Sequence, residues 1–198
     1  MASKLVDEYA AADAAGKVDI IFRNYPTFIG AIDSRIEGLV YLIEDEKACK
    51  RRSGKGELGV RVQTSGISNP TQNIGMSEVM TRDALVSCDF SGGVLDDTDN
   101  EEEYMYEAYM LQDMRRDFFL FNSQLKSIDG KKKDVFNAYI NRDKDVVAIA
   151  DEFGIAEQSA RNLIHRTKKK IEGQMLDCMI RRYGRNKICQ QERQRSIA

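Results

Sequence analysis

Apolar residues recur along this chain at the spacing of helices. Ile29, Ile32, Ile36, Leu39 and Ile43 step by three and four, which predicts a helix from about Thr27 to Lys50 with one continuous apolar stripe. Arg35, Glu37, Glu44 and Asp45 occupy its other faces. Leu111, Met114, Phe118, Phe121, Leu125 and Ile128 alternate the same steps and predict a long helix from about Glu101 to Ser127. This seam either packs on the Ile29–Ile43 stripe or forms a dimer interface. Alanine-rich Ser3–Gly16 reads as a short helix, and Asn24-Tyr25-Pro26-Thr27 as a turn into the next one. Asn69-Pro70-Thr71-Gln72 combines a cap, a first-turn proline and a back-reaching glutamine, so a helix should run from there to about Ala84.

Between these helices the periodicity fails in two places. Ser53-Gly54-Lys55-Gly56 is a turn, and the alternation of Leu58, Val60 and Val62 suggests an extended segment near 58–66. Gly54-Lys55 lacks the spacing of a phosphate-binding loop. Cys88–Asn100 is rich in Gly, Ser and Asp and is expected to be an acidic linker. Six of the eight residues in Asp96–Glu103 are acidic, which suits a solvated run merging into a helix start. After Asp129-Gly130 three helices follow. The predicted fold is all-α: a helical N-terminal region (1–87), the acidic linker (88–100), and a long helix joined to a C-terminal module with core 131–171 and a basic tail (101–198).

Composition narrows the function classes. The 198 residues are 42% hydrophobic and 31% charged, with two prolines and no tryptophan. No apolar run approaches the ~20 residues that span a bilayer, and the N-terminal residues lack a signal-peptide core. The expectation is a cytoplasmic protein with no membrane partner. Cys49, Cys88, Cys178 and Cys189 form no CxxC pair and His165 is the sole histidine, so four free thiols and no metal or cofactor are expected. No nucleophile–base pair or carboxylate cluster suggests an enzyme. Charge is split along the chain: residues 131–198 carry 16 Lys and Arg against 9 Asp and Glu, net +7, and residues 1–130 are net −9. A basic C-terminal part suits a polyanionic partner.

The C-terminal pattern is specific. Val135, Phe136, Tyr139 and Ile140 face inward from the helix 131–141, and Asn141-Arg142-Asp143 is a turn. Val146, Ile149, Ala150 and Phe153 share one face of the next helix, Gly154 permits a tight turn, and Ile155 fills the space between helices. A third helix starts at Ala156-Glu157 and buries Ala160 and Ile164, with Leu163 beside them. Two helices crossing steeply need a small residue at the contact, and Ala150 supplies it. The exposed face of the third helix then carries Glu157, Gln158, Ser159, Arg161, Asn162 and His165. These side chains can reach base edges in a major groove, since Arg pairs with guanine and Asn or Gln with adenine. Arg166, Lys168, Lys169 and Lys170 follow, placed for phosphates.

Val146–Ile171 resembles the C-terminal DNA-binding region of bacterial sigma factors, region four. That family shows an Ile-Ala, a Leu-Gly-Ile-Ser turn, a Thr-Val start to the recognition helix and a basic end. This chain departs from it at Phe153, Ala156, Ser159 and Ala160. More loosely, Asn24-Tyr25-Pro26, Leu58–Gln63 and Ser68–Thr71, followed by a long helix into the module, resemble sigma-like regulators of phages and integrated elements of Gram-positive bacteria. The resemblance implies a helix-turn-helix transcription regulator that binds double-stranded promoter DNA, with an N-terminal half that dimerises or contacts RNA polymerase. The alternative is a DNA-packaging protein like a small terminase subunit, which also joins a helix-turn-helix to oligomerising helices.

Overall fold

The computed structural model describes residues 2–53, 70–96, 98–128, 130–142 and 144–197, and of residues 2, 3, 53, 70–74 and 183–197 only the backbone. The extended segment expected near 58–66 lies outside the described residues, as do Asp97, Asp129 and Asp143 and the side chains of Arg185, Lys187 and Cys189. Among the described residues the chain is all-helical, with no strand. The elements are α1 (Ala2–Ala11), α2 (Ala14–Asn24), a 3-10 turn (Tyr25–Thr27), α3 (Phe28–Ser53), α4 (Pro70–Ser87), α5 (Glu101–Lys126), α6 (Lys131–Ile140), α7 (Val146–Phe153) and α8 (Glu157–Ile197). None of the described helices is long and apolar enough to cross a membrane.

The N-terminal region holds one more helix than its composition suggests. Asp13 breaks the alanine-rich run by accepting a hydrogen bond from Gly16 N–H at 2.8 Å, which caps α2. The α2 helix buries Val18, Ile20, Ile21 and Phe22.

The chain divides into two compact units, each discontinuous in sequence. The first comprises Met1–Val6 and Gly30–Met114. Its core takes Ile32, Ile36, Leu39, Val40 and Ile43 from α3, Ala84 and Leu85 from α4, and Tyr104, Ala108, Leu111 and Met114 from α5. Polar contacts fix the helices in register. Arg35 pairs with Glu107, and Glu44 accepts from Ser77 at 2.8 Å and Thr81 at 2.6 Å. The segment read as a linker carries the buried Leu95, and Lys50 pairs with its Asp99 at 2.5 Å.

The second unit comprises Asp7–Ile29 and Arg115–Ala198. Seven aromatic rings build its centre. Phe22 packs edge-on against Phe121 at 4.8 Å and Phe136 at 6.2 Å. Phe28 stacks on Phe118 at 5.5 Å and touches Tyr9, and Tyr25 lies against both Phe118 and Phe121. Such pairs add about 0.5–1.5 kcal/mol each beyond the area they bury. Along the Leu111–Ile128 seam Leu111, Met114, Phe121, Leu125 and Ile128 are buried and Phe118 is half-buried.

Candidate nucleic-acid interface

The helices α6, α7 and α8 all belong to the second unit, and α7 is held at both ends by local chemistry. Asp145 accepts a hydrogen bond from Ala148 N–H at 2.8 Å and caps its start. At its end Gly154 adopts a left-handed conformation, φ 59° and ψ 46°. Its N–H reaches the Asp151 carbonyl at 3.2 Å, and Ile155 N–H reaches the Ala150 carbonyl at 3.0 Å. This pair of bonds is the Schellman closure, and it satisfies carbonyls that would otherwise be orphaned. Ile149 and Ala150 are buried, as are Val135, Phe136 and Ile140 of α6. From α8 come Ala160, Ile164, Thr167, Ile171, Met175 and Met179, one buried stripe at helical spacing.

The stripe determines where the remaining side chains of α8 stand. At about 100° per residue, Gln158, Asn162, His165, Arg166 and Lys169 fall opposite the buried stripe, and all five are exposed. Ser159 and Lys170 lie on one flank, and Glu157, Arg161 and Lys168 on the other. The candidate residues are therefore brought onto one exposed helix, with two exceptions in availability. Arg161 is paired to Glu157 at 2.9 Å through Nε, an exposed pair one helical turn apart. Lys168 leans onto α2 with 38% of its side chain exposed: its Nζ lies 3.3 Å from Asp19 and 4.9 Å from the centre of the Phe22 ring. Gln158 donates to Asn162 at 3.3 Å, an interaction weak enough to exchange for a base edge.

The chain matches no protein-family model, no curated protein and no solved structure. The exposed face of α8 offers a guanidinium, two amides, an imidazole and ammonium groups on one helix, which is hydrogen-bonding capacity without apolar cover. Among the described residues no group of three His, Cys, Asp or Glu is placed to hold a metal ion.

One neighbour of the face is absent from the sequence reading. Lys132 of α6 lines a cleft of about 550 Å³ together with Ser159, Asn162, Arg166 and Lys170 of α8. The signal was present in the sequence. Lys131, Lys132 and Lys133 occupy the first turn of a helix, where the dipole disfavours cations.

Proposed function

We propose that this protein is a sequence-specific DNA-binding transcription regulator of the sigma-like, helix-turn-helix kind, serving phage or mobile-element genes. Double-stranded promoter DNA is its partner, RNA polymerase a second one, and the cytoplasm its site of action. The observation that carries the reading is the outward face of α8, where Gln158, Asn162, His165, Arg166 and Lys169 stand opposite a buried, mostly apolar stripe. The α7 helix and the left-handed Gly154 supply the short, rigid approach that such a helix needs to enter a major groove. The Glu157–Arg161 pair is exposed and worth little, so Arg161 can exchange its carboxylate for a guanine edge.

Selection of bound duplexes from a random pool tests the reading. A recurring sequence should emerge. Arg161→Ala and Asn162→Ala should each weaken binding to it by about 1–3 kcal/mol and leave binding to random DNA nearly unchanged. Failure to enrich any sequence, or equal losses on both kinds of DNA, would defeat it.

An oligomeric DNA-packaging role is the second reading. It is favoured by Met76, Val79, Met80 and Val86, which form an exposed apolar stripe along α4. Mass measurement in solution separates the two: a closed ring supports packaging, a monomer or dimer supports regulation.

A further inference from the structure

The cleft between α6 and α8 has a chemistry of its own. Three cations converge on it, Lys132 from α6 and Arg166 and Lys170 from α8. None of the three forms an ion pair with a described residue, although Arg161, Lys144 and Lys168 of the same unit all do. The segment 131–198 is net +7, and three cations with no ion-pair partner among the described residues hold a positive potential around one concavity. The Ser159 hydroxyl and the Asn162 amide line the same space. Ile128 and Leu163 give it an apolar side. Lys132 stands in the first turn of α6, whose Gly130 start has no side-chain cap, so the positive end of the helix dipole adds to the field. At about 550 Å³ the cleft is far larger than one phosphate and lies within the usual size of ligand sites.

We propose that this cleft is a phosphate-binding site, with Lys132, Arg166 and Lys170 holding the anion and Ser159 donating its hydroxyl. The phosphate has two sources with the same chemistry: a strand of DNA running beside α8, or a free phosphorylated small molecule whose apolar part rests on Ile128 and Leu163. A free ligand would occupy Asn162 and Arg166, and so would compete with DNA for α8. The site follows from the cleft and its charges; its DNA source rests on the DNA-binding reading, and its free-phosphate source goes beyond that reading.

Calorimetric titration of the full chain with sodium pyrophosphate, and separately with a short random-sequence duplex, tests the proposal. The comparison is between the unaltered chain, Lys132→Ala, and Lys131→Ala as a control of equal charge outside the cleft. Both lysines are exposed, so neither change threatens the fold. If the ligand is a free phosphate, pyrophosphate binds, and Lys132→Ala weakens it about tenfold or more while Lys131→Ala changes it little. If the source is DNA, pyrophosphate does not bind, and Lys132→Ala lowers duplex affinity and flattens its salt slope by about one unit. Equal responses in the two variants, or no effect of Lys132→Ala on either ligand, overturn the proposal. Pyrophosphate binding in a chain that fails to bind any duplex would leave the cleft standing and defeat the DNA reading alone.

Discussion

Single buried polar residues tie together helices that are far apart in the chain. Asp117 is 2% exposed, yet it accepts from the Tyr9 hydroxyl at 2.6 Å and from Arg182 at 3.1 Å. Its carboxylate thereby ties α1 and α8 to α5 inside the second unit. Asp117→Ala would remove a buried acceptor of the Tyr9 hydroxyl and an ion-pair partner of Arg182, and a lost partner in a buried pair costs about 3–5 kcal/mol. Chemical denaturation should show a loss of that size, and a change under about 1 kcal/mol would mean that water replaces the carboxylate. Glu44 plays the corresponding part in the first unit. Burial pushes its carboxyl up, but hydrogen bonds from Thr81, Lys47 and Ser77 and the Lys47 charge outweigh burial and hold it below its ordinary value. A depressed carboxyl contributes stability that is present above its unfolded pKa and lost as pH falls through the folded one. Unfolding measured across the acid range should therefore show a loss that Glu44→Gln removes, with the variant less stable than the parent at neutral pH.

At the scale of the element, α8 shows how one helix divides its charges between folding and binding. Lys168, Lys169 and Lys170 are adjacent in sequence, yet 3.6 residues per turn sends them to different sides. Lys168 is spent on Asp19 and the Phe22 ring, and Lys169 and Lys170 remain outward. Affinity for duplex DNA should fall with salt at a log–log slope of about −0.9 per phosphate contact. Replacing Lys169 and Lys170 together with Ala should flatten that slope by roughly two units and leave sequence preference intact. Lys168→Ala should leave the slope alone and lower the melting temperature instead. A slope that responds to Lys168 and not to the other pair would show that this helix meets DNA on its other flank.

For the whole molecule, the consequential fact is that the second unit takes Asp7–Ile29 from the N-terminal part of the chain. A fragment beginning at Glu101 contains all of α5 to α8 and looks self-sufficient on paper. It lacks Phe22, which packs on Phe121 and Phe136, and it lacks Asp19, the partner of Lys168. Such a fragment should unfold without a sharp thermal transition, because those rings would face water. Adding a peptide covering residues 7–29 should restore cooperative melting. If the fragment melts sharply by itself, α2 is an accessory and not a core element.

Much of the helical layout is written locally. The stripes of α3 and α5, the first-turn proline of α4, the Asp145 cap and the turn at Gly154 all depend on residues within a few positions of one another. The outward face of α8 follows from the same periodicity. The break at Asp13 was a local signal too, hidden because alanine favours helix on both sides of it. Other features depend on residues far apart in the chain, and no window of sequence holds both partners. The pairing of Lys168 with Asp19, the burial of Asp117 between Tyr9 and Arg182, and the meeting of Lys132 with Arg166 and Lys170 are of this kind. Helix periodicity shows which side of a helix is apolar. Only the packed structure decides which distant segment covers it, because burial rewards apolar area without regard to where in the chain that area comes from.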